Sequence, residues 1–256
     1  MKLNNLWCNK HEDDTMNLAG KVALVTGGTD GIGGHLIRQL RGKGATIITS
    51  GRTAERIAAT RADGFEVIEA DLSTLTGVKA LLKGVEGRTI DVLLNNAGAG
   101  VAHDFRAPGL PDVSAADAAI FLNLHAPIHL IAALMPLLKS RPEAMIVNVT
   151  SGLAIAPNTG SAVYCATKAG LRSYGLALRA QLKGTKVHVM EALPPVVDTA
   201  MTAGRGSRKM SPDECARQIV AAIERDADEA NVGLVKLLQL VNSISPALAR
   251  KIMLRF

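Results

Sequence analysis

A tyrosine and a lysine four residues apart, Tyr164 and Lys168 in the segment YCATK, have the side chains and the spacing for proton transfer. On a helix this spacing places both side chains on one face. A free phenol has a pKa of about 10, and a neighbouring ammonium favours the phenolate. Tyr164 is therefore predicted to act as general acid or base toward a substrate oxygen. Ser151, which lies upstream, would hydrogen-bond the same oxygen. Without that serine, an exposed surface pair would be the better interpretation.

A glycine-rich stretch, TGGTDGIG at Thr26–Gly33, follows the apolar run Val22–Val25 and precedes a helical pattern at 33–42. It contains neither the lysine of a Walker loop nor the third glycine of G-x-G-x-x-G at the required position. Free backbone N–H groups and the helix dipole nevertheless make an anion site at a helix N-terminus. Glycines in such a turn allow a pyrophosphate to approach the backbone closely. We therefore predict a pyrophosphate site, with a ligand-free glycine turn as the alternative.

The segments that position these groups alternate between apolar runs and helical patterns. Runs rich in Val, Ile and Leu are typical of parallel strands that are covered on both faces. The predicted strands are residues 21–27, 46–52, 65–73, 90–98, 144–151 and 186–194, with a seventh near 231–235. The sequence therefore predicts a doubly wound α/β domain of the Rossmann type, with about seven strands and helices on both faces of a parallel sheet.

The 256 residues suit one domain, predicted to span 17–256. Residues 1–16 are expected to be a polar leader, with disorder and a translation start at Met16 both left open. A long helix at 114–140 would begin with Ser114-x-x-Asp117 as a capping box and would kink or break at Pro127. The apolar tail is predicted to be a terminal helix that packs on the body or on another subunit, in preference to one that lies on a membrane surface.

Composition excludes several other classes of protein. Aromatic residues make up 3% of the chain and the net charge of +6 is spread widely, which argues against a nucleic-acid partner. Three distant cysteines favour reduced thiols in the cytoplasm. No uninterrupted apolar run reaches the length of a membrane span, about 18–20 residues, and the N-terminus does not resemble a signal peptide. His103, His125 and His129 lack further ligands at useful spacing, so we predict no metal.

The spacing Thr-Gly-x3-Gly-x-Gly resembles that of the short-chain dehydrogenase/reductase superfamily. Three more motifs of that family follow in order: NNAG after the fourth strand, Ser151 after the fifth, and YCATK at the start of a helix. The resemblance covers about residues 17–202. It implies Ser151, Tyr164, Lys168 and Asn123 as catalytic residues, with Asn123 holding a water in a proton relay or, alternatively, serving as a buried structural amide. SGLA, YCATKAGL and LPPVVDT further resemble the DltE-type subgroup.

The family resemblance also implies a nicotinamide dinucleotide cofactor. An acidic residue after the second strand binds a ribose 2′-hydroxyl, whereas arginine suits a 2′-phosphate. Gly51 and Arg52 stand there, which favours NADP(H) and leaves NAD(H) open, while Asp30 could repel the extra phosphate or cap the helix. The implied cofactor-binding residues are Gly27, Thr29, Gly31, Ile32, Gly33, Arg52, Asp71, Leu72, Asn96, Ala97, Gly98, Tyr164, Lys168, Pro194, Val197 and Thr199.

The substrate side departs from the family pattern, because Pro194-Pro195 replaces Pro-Gly after the sixth strand. Residues 195–212 are expected to form a substrate lid. Its basic residues Arg205, Arg208 and Lys209 would either meet an acidic substrate or merely keep the loop solvated.

We predict an NADP(H)-dependent oxidoreductase that acts on a small-molecule carbonyl or alcohol. The alternatives are a β-ketoacyl-thioester reductase and a catalytically silent NADP(H)-binding regulatory protein. Family resemblance further implies a homodimer or homotetramer that pairs helices 114–140 and 163–182.

Overall fold

Seven parallel strands form one sheet in a computed structural model that describes residues 15–101, 105, 109, 111–204 and 209–255. The strand order is β3-β2-β1-β4-β5-β6-β7, so the direction of winding reverses between β1 and β4. The bounds are β1 Val22–Val25, β2 Thr46–Gly51, β3 Glu66–Glu69, β4 Val92–Asn95, β5 Ala144–Val149, β6 Val187–Leu193 and β7 Glu229–Asn231. The predicted doubly wound fold is confirmed, and such folds bind ligands at the carboxyl edge where the winding reverses.

Helices cover both faces of the sheet. They are α1 Gly31–Gly42, α2 Ala54–Ala62, α3 Leu75–Gly84, α4 Val113–Ile120, α5 Ala126–Ser140, α6 Ala162–Gln181, α7 Pro212–Glu224, α8 Val235–Ile244 and α9 Pro246–Met253. Buried side chains of α1, α2 and α7 pack on one face, and those of α3, α5 and α6 pack on the other. Strand β1 serves both cores, because Ala23 and Val25 belong to the first cluster and Leu24 to the second.

The long helix predicted at 114–140 is two helices joined by a π-helical turn, Phe121–His125. Its N-cap is Asp112, whose carboxylate accepts from the backbone N–H of Ser114 at 2.9 Å and of Ala115 at 3.2 Å, so the capping box predicted at Ser114 is wrong. The break predicted at Pro127 takes the form of this π turn, which lies just before the residue that lacks an N–H.

The ends of the domain differ from the prediction in three places. Met16, placed in the leader, is 2% exposed and belongs to the core, while residues 1–14 lie outside the described part of the chain. The seventh strand is Glu229–Asn231, earlier than predicted. The tail forms two helices instead of one, because Ser245 caps a new helix that starts at Pro246.

One helical stretch, Val113–Ser140, is long and apolar enough to cross a membrane by length and composition alone. Its inner residues Leu130, Ile131, Leu134 and Leu138 are buried against the sheet. Its apolar character is therefore that of a helix that covers a core.

At the amino edge of the sheet, the buried carboxylate of Asp91 joins three segments. Asp91 is 3% exposed, and its oxygens accept from the backbone N–H of Val22 at 2.8 Å and from Nε of Arg141 at 2.7 Å. These bonds connect β4 to the start of β1 and to the residue before β5. A buried carboxylate with such partners stabilises the fold at a distance from the carboxyl edge.

Asp91→Ala is expected to lower the free energy of unfolding by about 3 kcal/mol, because it leaves the Arg141 guanidinium and a backbone N–H without their acceptor. Urea denaturation followed by circular dichroism measures the change. The matched control is Glu66→Ala, which removes an exposed ion pair with Arg88 and should shift the midpoint little. Equal midpoints for the two variants would contradict the role assigned to Asp91.

Candidate active site

A cleft at the carboxyl edge brings together segments that follow six of the strands. Every cofactor-binding residue predicted from the sequence lines this cleft, as do Ser151, Tyr164 and Lys168. Asn123 does not line it but lies behind it, with Oδ1 3.1 Å from where a Cβ on Gly98 would lie. The cleft also contains residues that sequence analysis did not assign to it: Ser50, Gly51, Thr53, Arg56, Ala70, Leu122, Val149, Thr150, Pro195 and residues 200–202.

The glycine turn is packed so tightly that side chains are excluded from it. A Cβ on Gly33 would lie 2.1 Å from the carbonyl oxygen of Gly27. Gly27 and Gly31 have φ of 68° and 53°, in the left-handed region that favours glycine. Asn96 fixes the turn to the end of β4, since its Nδ2 donates to the carbonyl of Thr26 at 2.9 Å. The result is a bare backbone concavity at the N-terminus of α1, which fits a pyrophosphate.

Asp30 caps α1 and holds an arginine in the cleft. Its Oδ1 accepts from the backbone N–H of Gly31 at 2.8 Å, and its Oδ2 lies 2.6 Å from Nη1 of Arg56. Both side chains are about half exposed, so the pair contributes little to stability. Its effect is to neutralise the carboxylate of Asp30 and to orient the Arg56 guanidinium. Sequence analysis missed Arg56 because only the fold brings the start of α2 beside the glycine turn.

The end of β2 leaves no room for the acidic residue that would bind a ribose 2′-hydroxyl. A Cβ on Gly51 would lie 2.5 Å from Cγ2 of Thr29. Arg52 follows directly and lines the cleft together with Arg56. Two guanidinium groups thus border this end of the cleft, beside the residues Ser50 and Thr53.

Lys168 is the most deeply buried charged group of the site. It is 3% exposed, its Nζ donates to the carbonyl of Val149 at 2.8 Å, and burial lowers its pKa to about 8. Its Nζ lies 5.7 Å from the ring centre of Tyr164, as expected for residues four apart on α6. The lysine therefore places a positive charge beside the tyrosine in a setting from which water is largely excluded.

Asn123 occupies the π-helical turn, and its amide is engaged in structural hydrogen bonds. Oδ1 accepts from the backbone N–H of Ala99 at 2.9 Å, while Nδ2 donates to the carbonyl of Ala99 at 2.9 Å and to Oγ1 of Thr167 at 3.2 Å. These bonds fasten the segment after β4 to α6, next to Lys168. The side chain thus fits the buried-amide alternative.

Ser151 begins a short 3-10 turn at the end of β5. Its Oγ accepts from the backbone N–H of Leu153 at 3.1 Å, and the side chain is largely buried. The next residue, Gly152, donates its N–H to the carbonyl of Pro194 at 2.9 Å. A Cβ on Gly152 would lie 2.9 Å from Cγ2 of Val235, so the first turn of α8 packs directly against the turn after the serine.

The segment after β6 closes over the glycine turn. Cγ2 of Thr199 lies 3.3 Å from where a Cβ on Gly31 would lie. Within the expected lid, Met210 pairs with Val197. Lys209 turns back on the same segment, where its Nζ donates to the carbonyl of Thr202 at 2.7 Å and lies 3.3 Å from the Asp198 carboxylate. Lys209 is therefore engaged with its own segment, and Arg205 and Arg208 lie outside the described residues.

The histidines and cysteines of the described part of the chain do not assemble into a metal site. There, no three His, Cys, Asp or Glu side chains are grouped as metal ligands would be. His125 and His129 instead flank the ring of Phe121, at 5.5 and 6.0 Å between ring centres. His103 lies outside the described residues. Cys165 and Cys215 are buried free thiols, and burial raises the pKa of both.

Comparison with known proteins gives the family of this arrangement. A family model described as "short chain dehydrogenase" matches residues 21–209. The uncharacterized oxidoreductase DltE of Bacillus subtilis (strain 168) is 39% identical over 190 residues, which cover 73% of this chain and 75% of that protein.

Two solved structures share the fold. A short chain dehydrogenase from Burkholderia cenocepacia J2315 in complex with NADP is 27% identical, with a TM-score of 0.83 over 93% of this chain and 99% of that one. A short-chain dehydrogenase/reductase from Burkholderia phymatum in complex with NAD is 20% identical, with a TM-score of 0.75 over 90% and 96%, and shows the fold alone. The present chain therefore belongs to the short chain dehydrogenase family of oxidoreductases and resembles DltE within it.

Proposed function

We propose that the protein transfers a hydride between NADP(H) and a carbonyl compound or secondary alcohol. The observation that carries the proposal is that Ser151, Tyr164 and Lys168 line the same cleft as the bare glycine turn. The closed space around Gly33 fits a pyrophosphate and little else, which supports a dinucleotide. A bound nicotinamide cofactor would supply or accept the hydride. The NADP-bound relative from Burkholderia cenocepacia supports the same assignment.

The protein's own groups would handle the proton. Tyr164 gives a proton to the carbonyl oxygen in reduction, or takes one from the hydroxyl in oxidation. Ser151 donates a hydrogen bond to the same oxygen and fixes its position. The Lys168 ammonium stabilises the phenolate electrostatically, an effect strengthened by its burial. Lys168 would also hold the ribose hydroxyls beside the nicotinamide, and Asn123 supports the segment on which both depend.

Tyr164→Phe is expected to abolish turnover while NADPH binding remains nearly unchanged, because the ring is kept and only the proton donor is lost. NADPH fluorescence gives binding, and loss of absorbance with a panel of ketones, aldehydes and acyl thioesters gives turnover. Tyr174→Phe is the matched control, since Tyr174 is the only other tyrosine of the sequence and lies on the same helix. Retained turnover in Tyr164→Phe would show that another group moves the proton.

The same panel separates the other functions predicted from the sequence. A β-ketoacyl-thioester reductase would turn over acyl thioesters in preference to free ketones. A silent regulatory protein would bind NADPH without turnover of any substrate. No observation on the described residues favours either over a carbonyl reductase or alcohol dehydrogenase.

The preference for NADP(H) is proposed from the two arginines at the end of β2 and the start of α2. Guanidinium groups pair well with phosphate, and Arg52 and Arg56 both line the cleft. Gly51 supplies no carboxylate to a 2′-hydroxyl, and Thr29 occupies the space where its side chain would begin. These contacts favour a cofactor that carries a 2′-phosphate, with NAD(H) as the weaker ligand.

Arg52→Ala is expected to raise the dissociation constant of NADPH by about 10- to 100-fold, as for loss of a charge-assisted hydrogen bond. The constant for NADH should change little, because NADH lacks the 2′-phosphate. Fluorescence titration with both cofactors gives the comparison. Arg88→Ala removes an equally exposed arginine away from the cleft and serves as the control. Equal weakening toward NADPH and NADH would contradict a phosphate contact.

The role of Asp30 can be tested by its isosteric amide. Asp30→Asn keeps an oxygen that caps α1 but removes the charge that pairs with Arg56. If the carboxylate serves to orient Arg56, NADPH binding should weaken by about 3- to 10-fold, and the change should add nothing in an Arg56→Ala background. Tighter NADPH binding in Asp30→Asn would show instead that the carboxylate repels the phosphate.

We also propose a homodimer or homotetramer through the helices of 113–140 and 162–181, and a cytoplasmic location. Val113 and Leu176, on α4 and α6, are 65% and 44% exposed, which supports a contact there. The free thiols of Cys165 and Cys215 support a reducing compartment.

A further inference from the structure

The two C-terminal helices expose an apolar surface that the fold does not use. Seven of the thirteen exposed large hydrophobic side chains among the described residues lie between Leu234 and Leu254. On α8 and the residue before it, Leu234, Leu237, Leu240 and Ile244 are 74%, 59%, 56% and 78% exposed. Their spacing of three or four residues places them on one face of the helix. We call these four residues the tail stripe.

The opposite face of the same helices holds them on the domain. Val235 and Ala249 are 3% and 0% exposed. Leu238 lies 3.6 Å from where a Cβ on Gly152 would lie, and a Cβ on Gly233 would meet the side chain of Met210. The tail therefore already has its intramolecular contacts, and the stripe is a second apolar face. Large contiguous apolar surfaces of this kind mark interaction sites.

The charges around the tail stripe are all positive. Residues 232–256 contain Lys236, Arg250, Lys251 and Arg255 and no Asp or Glu. Lys236 lies on α8 itself between members of the stripe in sequence, and Arg250 and Lys251 lie on α9. Residues Leu248 and Ile252 of α9 are also exposed, at 48% and 39%. Apolar side chains flanked only by cations are the pattern of helices that lie at the interface of an anionic bilayer.

We infer that the tail stripe and its flanking cations bind the surface of an anionic lipid membrane. A second copy of the chain fits less well, because a two-fold contact would place this all-cationic segment against itself. An anionic bilayer accepts both features, since the apolar side chains enter the acyl boundary while the cations meet the headgroups. The two helices follow the part of the chain that matches the family, residues 21–209, so the surface is a feature of this chain.

The position of α8 gives this surface a consequence for the site, which rests on the proposed function. The first turn of α8 packs on Gly152, next to the reacting Ser151, and beside Met210 at the end of the lid. Because α8 has ten residues, it is only about 15 Å long. A bilayer bound to the stripe therefore lies close to the substrate side of the cleft, and apolar carbonyl compounds dissolved in lipid are the substrate class that benefits.

The test is sedimentation of the full chain with vesicles, measured without cofactor or substrate so that it does not depend on the proposed activity. We expect binding to phosphatidylcholine vesicles that contain phosphatidylglycerol, weaker binding to pure phosphatidylcholine, and loss of binding at high salt. The variant Leu237→Ser/Leu240→Ser/Ile244→Ser should lower the partition coefficient at least about tenfold. Because these side chains are exposed, its thermal unfolding should match that of the wild type; the variant Leu75→Ser controls for loss of an exposed leucine elsewhere.

A second variant tests the charges. Lys236→Gln/Arg250→Gln/Lys251→Gln should lower binding to anionic vesicles by about 100-fold and leave binding to neutral vesicles unchanged. Lys79→Gln/Lys83→Gln/Arg88→Gln changes the net charge equally on another, exposed part of the surface and should retain binding. Failure of the wild type to sediment with anionic vesicles, or equal sedimentation of both tail variants, would overturn the inference. So would light scattering that shows the serine variant dissociating without lipid, since the stripe would then be a subunit interface.

Discussion

Burial of the Lys168 ammonium is the constraint on which the arrangement of the site depends. Its pKa of about 8 instead of 10.5 corresponds to a cost of about 3 kcal/mol for keeping the charge inside. The unfolded chain binds more protons between these two values, so the cost is present in full below about pH 8 and disappears as the pH rises to 10.5. The fold tolerates this cost because the carbonyl of Val149 accepts from Nζ, which requires α6 to lie at a fixed height above the end of β5.

A second set of buried charges holds α6 at that height. Arg172 follows Lys168 by one helical turn and pairs with Glu191 on β6 and, at 3.0 Å, with Glu229 on β7. Burial raises the pKa of the Glu191 carboxyl, which also accepts from Oγ1 of Thr150 at 2.6 Å. Thr150 is the neighbour of Ser151, so one network fixes both the helix of the tyrosine and the strand of the serine. The three reacting residues thus keep their geometry because their elements are cross-linked outside the cleft.

Local spacing was sufficient to predict the parts of the site that one element supplies. The glycine turn and Tyr164–Lys168 could be found because a backbone cradle and a helical face are both written in consecutive residues. Arg56 could not, because its ion pair with Asp30 joins two helices that only the tertiary fold brings together. Capping by Asp112 and the inward turn of Lys209 were missed for a similar reason: polar side chains have several local partners, and the sequence does not rank them.

The two halves of the cleft differ in what builds them, and this explains how far the function can be specified. The cofactor half is made of backbone at strand ends, where substitution is excluded by contacts such as that of Gly33 with the Gly27 carbonyl. The substrate half is made of side chains from the segment after β6 and from α8, which packs against Gly152. Side chains can change without disturbing the sheet, so family membership fixes the cofactor chemistry and leaves the substrate to these segments. The residues of the lid and tail are therefore where substrate recognition in this chain has to be sought.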